Sequence, residues 1–382
     1  MGNVNDQLEE QIKSENVVFN DVDGQRTVTE TTPKNEPQVA DQLLDTIFAQ
    51  KFRVTDLLGQ GGMSVVYRAV HLAMNKEVAL KVLHTNRNSD LNTAKRFRQE
   101  AQAASALSHP NIVAVSDCGV SENGIAYLVM EFVTGRSLSQ VIKEDGPLDF
   151  DRFLHIMQQV SAALAHAHEK GVVHRDLKPS NIIISQSEGS GGRDHVQIVD
   201  FGIAKVMTQS SEGLQQLTAT GEVFGSPLYM SPEQCTGSHV DQRSDIYSFG
   251  CVMYEALSGR VPHLGESVFD TINRHINTPP PPLVAPQLSD EDRLKIEVIL
   301  LRALAKAPED RQQSMSEIEF QLRAMKLKVR SGTDFFGKFG SAWQLAAAKR
   351  RAEKKNRLPL MVLTLSTVTL MSFVSIAGLV YA

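Results

Sequence analysis

The stretch His174-Arg-Asp-Leu-Lys-Pro-Ser-Asn181 is followed, nineteen residues on, by Asp200-Phe-Gly202. Asp176 has the chemistry of a general base able to take a proton from a hydroxyl nucleophile. Asn181 and Asp200 are oxygen donors of the kind Mg²⁺ takes together with phosphates. Lys178, two residues past Asp176, is suited to neutralising a migrating phosphoryl group.

Upstream, Gly59-Gln60-Gly61-Gly62-Met-Ser64-Val-Val66 lies between two strand-like runs. Glycines there let backbone N–H groups close over phosphates without side-chain collision. The segment is not a dinucleotide fingerprint, because a second strand follows it and not a helix. Next comes Val78-Ala79-Leu80-Lys81, in which strand alternation puts Lys81 on one face with Ala79 and Leu83. A lysine in an apolar strand is costly to bury unpaired. A predicted helix over 92–107 offers a partner: its stripe is Phe97, Ala104 and Leu107, and Glu100 falls inside it. A lone Glu at the edge of such a face can equally reach water.

These pieces, in this order, resemble a eukaryotic-type (Hanks-type) protein Ser/Thr kinase, most closely the membrane-anchored bacterial branch. The resemblance covers about residues 52–328 and implies an α+β, bilobal protein-kinase fold. A β-rich N-lobe (52–133) would precede a mainly helical C-lobe (134–328). It implies ATP and Mg²⁺ as cofactors, with Mn²⁺ as an alternative ion, and protein substrates. By resemblance, Gly59, Gln60, Gly61 and Gly62 cover the phosphates, and Val66 and Ala79 sandwich the adenine. Lys81 holds the α/β-phosphates and pairs with Glu100. Met130 is the gatekeeper, and the backbone from Glu131 to Val133 is the hinge. Asp176 is the catalytic base, Lys178 its cationic neighbour, and Asn181 and Asp200 the metal ligands. Ser231-Pro232-Glu233 matches the family's Ala-Pro-Glu, and its Glu233 is expected to pair with Arg311. Asp245 would brace the catalytic loop. Three departures are visible: Ser64 replaces the third loop glycine, Ser226 stands where Thr is usual, and the Asn181-to-Asp200 spacing is long. The Gly/Ser-rich SQSEGSGG (185–192) absorbs that excess as a hairpin insert.

Lys178 in Asp-Leu-Lys-Pro-Ser-Asn favours Ser/Thr over Tyr as acceptor. A pseudokinase scaffold would lack Lys81, Asp176, Asn181 or Asp200, and none is lost. A small-molecule phosphotransferase of the aminoglycoside type would lack Ser-Pro-Glu and its arginine partner. Arg175 before the catalytic Asp marks kinases whose loop is ordered by phosphorylation, and Thr218 and Thr220 sit where bacterial relatives autophosphorylate. A homodimer would serve autophosphorylation in trans. His166 and His168 read as structural helix residues, since no acid or thiol cluster accompanies them.

The 382 residues carry 39 bases and 44 acids, a net charge of −5, so whole-chain attraction to nucleic acid is not implied. Apolar residues make up 42%, enough for a real core. Three scattered cysteines exclude a disulfide framework and fit a reducing compartment. Residues 1–37 are acidic, non-periodic and expected to be disordered. Val39, Leu43, Leu44, Ile47 and Phe48 predict a short docking helix over 38–51. Phe153, Ile156, Val160, Leu164 and Ala167 predict a long helix closed by Gly171, and Ser314 with Glu317 a capping box. Pro279–Pro282 reads as a stiff connector.

At the far end, residues 323–357 hold eleven bases and two acids, and residues 358–382 hold no charge. Those 25 residues make a helix of about 37 Å, enough to span a bilayer core of about 30 Å. A basic juxtamembrane segment (329–357) and a transmembrane helix (358–381) are therefore expected, with membrane lipids as partners of both. The bases of KRRAEKKNR (349–357) keep the kinase on the cytoplasmic side, so the chain is expected to be a single-pass, C-terminally anchored inner-membrane protein. Phe335, Phe336, Phe339 and Trp343 suit either an interfacial helix or a cover on the C-lobe. The first residues lack the apolar stretch of a signal peptide, and no sensor domain is expected beyond the span.

Overall fold

The computed structural model describes residues 17–22, 25–30, 43–61, 64–83, 101–186, 193–201 and 227–326. Strands β1 (Val17–Val22) and β2 (Gln25–Glu30) pair antiparallel. Both strands fall within the acidic segment 1–37. The sequence between the strands is Asp23-Gly24, a dipeptide that two-residue hairpin turns favour. A lone hairpin of this kind is only marginally stable.

A six-stranded antiparallel sheet follows. Its strands are β3 (Ile47–Phe48), β4 (Phe52–Gly61), β5 (Ser64–His71), β6 (Lys76–Leu83), β7 (Val115–Val120) and β8 (Ala126–Glu131). Their order is β3-β4-β5-β6-β8-β7. Alternation along the strands builds two apolar layers, one per face. Val78, Leu80 and Val82 of β6 join Phe52, Tyr67, Tyr127 and Val129 on one side. Ala79 and Leu83 join Ala104, Leu128 and Met130 on the other. Lys81 belongs to the second face by alternation, as expected.

The docking helix expected over 38–51 is not formed in residues 43–51. Instead Ile47 and Phe48 pair with Arg53 and Phe52. Ala49 and Gln50 turn the chain at φ 48° and 57°, and Lys51 N–H donates to Phe48 O at 3.1 Å. The three residues Ala49, Gln50 and Lys51 connect the paired Phe48 and Phe52, and the two left-handed ones make the tight turn. Docking itself is retained, because Phe48 is buried and Leu43 and Leu44 pack on the same layer.

The C-lobe is mainly helical. Its elements are β9 (Arg136–Ser137), α1 (Leu138–Asp145), α2 (Phe150–Glu169), β10 (Ile182–Gln186), β11 (Asp194–Ile198), α3 (Pro232–Cys235), α4 (Gln242–Ser258), α5 (Val268–Asn277), α6 (Asp290–Ala303) and α7 (Met315–Lys326). The predicted helix is α2, and Gly171 follows it at φ 74°, the left-handed setting a C′ glycine adopts. Its stripe of Phe153, Ile156, Val160 and Leu164 packs with Phe249 and Val252 of α4 and Ile318 and Leu322 of α7 in one core. Half of the predicted capping box forms: Glu317 N–H donates to Ser314 Oγ at 3.2 Å. The Glu317 carboxylate reaches Gln313 N–H, one residue earlier than the motif requires. Strands β10 and β11 pair antiparallel around residues 187–192, which lie outside the described residues.

A polar knot sits inside this lobe. Lys306 Nζ lies 3.2 Å from both Tyr247 Oη and His263 Nε2, and Tyr247 Oη lies 2.9 Å from His275 Nδ1. Burial, reinforced by the Lys306 charge, pushes His263 down to about 2 and His275 to about 3. Both stay neutral in the fold while the unfolded chain takes up protons below about pH 6.5. Stability is therefore full above that pH and falls as pH drops. Each histidine should cost about 2 kcal/mol between pH 7 and pH 5. Urea unfolding at the two pH values checks this, with His263→Gln expected to remove about half of the pair's effect. An unchanged pH dependence in that variant contradicts the assignment.

Among the described residues no helix is long and apolar enough to cross a membrane. The segments expected at 329–357 and 358–381 lie outside the described residues.

Candidate active site

The loop from Val172 to Asn181 joins α2 to β10, and α4 holds it from beneath. Asp245, in the first turn of α4 and fully buried, accepts His174 N–H at 2.7 Å, Arg175 N–H at 2.8 Å and His168 Nε2–H at 2.7 Å. Burial alone would raise the Asp245 carboxyl, but the hydrogen bonds and charge it meets hold it below the usual carboxylate range. Asp245 thus braces the loop as expected. His168 has a sharper role than a generic helix residue, since it completes this carboxylate's shell. Its signal is weak in sequence, because its partner lies 77 residues away.

His174 is locked as a neutral ring. Its Nδ1 accepts Asp176 N–H at 3.3 Å, which leaves Nε2–H to donate to Val199 O at 3.2 Å. Burial keeps its pKa low. The ring lies 4.7 Å from that of Phe201, so the catalytic loop and the Asp200 segment share one contact. Arg175 and Asp200 take positive φ, 62° and 60°, which for residues with a Cβ costs about 1–3 kcal/mol. Such strain persists only where the surroundings over-determine it.

Around this frame the expected residues converge. Asn181 Nδ2 donates to Asp176 O at 2.9 Å, which orients Oδ1 as the end free to meet a cation. Val199 N–H donates to Asn181 O at 2.9 Å, tying the two expected metal ligands together through backbone. Lys178 Nζ lies 3.3 Å from Asp176 Oδ2. Across the cleft, Lys81 Nζ forms an ion pair with Asp200 Oδ1 at 2.9 Å. Glu100, its expected partner, lies outside the described residues, as do Gly62, Thr218, Thr220 and Ser226.

Gly59, Gln60 and Gly61 stand opposite Val66, Val65 and Ser64 in the β4–β5 hairpin. A Cβ on Gly59 would meet nothing within 4 Å, and one on Gly61 only Ser64 O at 3.8 Å. That open space is where phosphates would fit. Ala79 and Met130 are partners in the β6–β8 register, and Val66 and Val133 pack on the same apolar layer. This layer could hold a flat base. Glu131 N–H donates to Ala114 O at 3.0 Å, and the Glu131 carbonyl and the Val133 backbone are the hinge groups the resemblance expects to meet that base.

Further down, Glu233 and Arg311 meet as expected, bidentate at 2.7 and 2.8 Å. Every Arg311 donor is used: Nε on Ala305 O, and the two terminal nitrogens on Glu233, Arg243 O and Lys306 O. Ser244 Oγ donates to Glu233 Oε1 at 2.6 Å. Burial would raise the Glu233 carboxyl, yet Arg311 and Ser244 hold it below its ordinary value. Among the described residues no cluster of three His, Cys, Asp or Glu could cage a metal. A pair of oxygens such as Asn181 and Asp200 fits Mg²⁺, which keeps waters and phosphates as its other ligands.

A cleft between a β-rich and a helical lobe, with a lysine reaching an aspartate across it, defines a phosphotransferase architecture. The family description "Protein kinase domain" matches residues 52–318, and the chain belongs to that family. It is 40% identical over 285 residues to the serine/threonine-protein kinase pkn3 of Myxococcus xanthus, covering 75% of this chain and 52% of that protein. It is 38% identical over 288 residues to the serine/threonine-protein kinase PknB of Mycobacterium tuberculosis, covering 74% of this chain and 44% of that one. The chain spans about half the length of the curated relatives it matches. Among solved structures, the PknI kinase domain of Mycobacterium tuberculosis (C20A_R136A double mutant) is similar at TM-score 0.57 and 26% identity, covering 74% of this chain and 97% of that one. Protein kinases use ATP and a divalent metal, typically Mg²⁺.

Proposed function

We propose that the protein is a serine/threonine kinase that moves the γ-phosphoryl of ATP onto Ser and Thr hydroxyls of proteins. One observation carries this reading: the Lys81–Asp200 ion pair at 2.9 Å joins the sheet to the segment next to the catalytic loop. It brings the cation for nucleotide phosphates to the carboxylate for the metal. Asp176 accepts the proton of the incoming hydroxyl, held in place by the His174 and Asp245 frame. Lys178 neutralises charge on the transferring group. Lys81 holds the α/β-phosphates, Gly59 and Gly61 let the hairpin close over them, and Val66 and Ala79 bracket the base. Asn181 and Asp200 would hold Mg²⁺, which supplies charge neutralisation on the phosphates. Incubation of the full chain with ATP, Mg²⁺ and casein tests the reading: phosphate on casein serines and threonines is expected, and ATP binding with no transfer refutes it.

The loop between Asp200 and Glu233 carries Thr218 and Thr220, the proposed autophosphorylation sites. A phosphate there brings a charge of about −1.5 to −2 that an arginine such as Arg175 can pair with. A second copy of the chain would act as the phosphorylating partner. Mass mapping of an active preparation with both threonines bare rejects these sites.

The uncharged segment 358–382 anchors the protein, and the bases of 349–357 add about 1 kcal/mol each of attraction to anionic lipid. A chain ending at Asn356 should stay in solution without detergent and bind anionic vesicles at low salt. If the full chain is itself soluble without detergent, the anchor is wrong. If the shortened chain ignores the vesicles, lipid binding by the basic segment is wrong.

A further inference from the structure

We propose that Gln234 is a positioning residue for the catalytic base, setting the peptide plane between Arg175 and Asp176. The proposal rests on the kinase reading above. Gln234 Nε2 donates to Arg175 O at 2.8 Å. That carbonyl shares its peptide plane with the Asp176 N–H, so tilting it swings the Asp176 Cα. Arg175 is the left-handed residue of this loop, at φ 62°. Two elements hold it: Asp245 of α4 takes its N–H, and Gln234 of α3 gives to its carbonyl. The Asp176 N–H makes a long contact, 3.3 Å, to His174 Nδ1.

The other end of the Gln234 amide is equally committed. Its Oε1 accepts Ser231 N–H at 3.0 Å and Ser231 Oγ–H at 3.2 Å, while Gln234 N–H donates to Ser231 Oγ at 3.4 Å. This is a capping box, a motif that Glu or Gln serves at this position. A glutamate would satisfy the cap and take this amide donor away from the Arg175 carbonyl. The amide nitrogen is therefore the part the cap does not need. It carries the position of the Ser231–Cys235 turn, itself anchored through Glu233 to Arg311, to the residue beside the base.

Gln234→Glu keeps the cap acceptor and removes the donor, while Gln234→Met removes both. Steady-state transfer from ATP to casein by the full chain reads the difference, with thermal melting alongside. Both variants should lose about tenfold in kcat, with KM for ATP within about twofold of the unmodified chain. Only Gln234→Met should also melt lower, by the loss of the cap. Unmodified kcat in Gln234→Glu overturns the proposal, since the cap alone would then explain the residue. So does a loss in Gln234→Glu that Gln234→Met does not share, which would trace to the added charge. A rise in KM for ATP matching the fall in kcat would assign a binding role and likewise overturn it. An unmodified chain that binds ATP yet labels nothing refutes the kinase reading, a separate outcome.

Discussion

Asp176→Asn is expected to lower phosphoryl transfer by about 10³-fold while leaving the melting temperature close to that of the unmodified chain. Asparagine keeps the shape and volume of aspartate but cannot take the proton of the incoming hydroxyl. The loop has backbone supports besides that carboxylate. His174 and Arg175 hang on Asp245, and the carbonyls of Arg175 and Asp176 on Gln234 and Asn181. Lys81→Met should be as inactive for a different reason, because it removes the phosphate cation and the partner of Asp200. Initial rates with labelled ATP and casein, read beside a thermal melt, separate lost chemistry from lost fold. Asp176→Asn retaining full activity would sink the assignment of the base.

Arg311→Met should have the largest effect on stability. Arg311 is fully buried, its five donors are all matched, and its guanidinium lies 5.0 Å from the Tyr247 ring centroid. Removing it leaves the Glu233 carboxylate buried without its cation, a loss of about 3–5 kcal/mol. For a domain of this size that lowers the melting temperature by about 10 °C. Adding Glu233→Gln to Arg311→Met should recover part of the loss, because much of the penalty is the stranded charge. A single Arg311→Met variant that melts within about 2 °C of the parent contradicts the role given to the pair.

Most of the sheet was legible because alternation at period two is a local pattern. Lys81 needed only Ala79 and Leu83 to be placed on its face, and α2 needed only its own stripe and Gly171. Glu233 and Arg311, 78 residues apart, were matched by family resemblance and not by any local signal. What escaped was set by distant partners. Leu43, Leu44, Ile47 and Phe48 have helical spacing, but so short a window cannot tell a helix from a turn leading into a strand. The β4 edge decides it by claiming the backbone of Ile47 and Phe48. His168 and Gln234 look ordinary in sequence, and only the fold brings them to Asp245 and to the Arg175 carbonyl.

The central claim is transfer to serine and threonine hydroxyls, against the alternative of a pseudokinase scaffold that binds nucleotide without chemistry. The direct measurement is incubation of the purified full chain with ATP, Mg²⁺ and casein, followed by mass-spectrometric mapping of phosphate on both proteins. The account predicts phosphoserine and phosphothreonine on casein with the unmodified chain, and none above background with Asp176→Asn. ATP binding by the unmodified chain with no phosphate on any hydroxyl would contradict it.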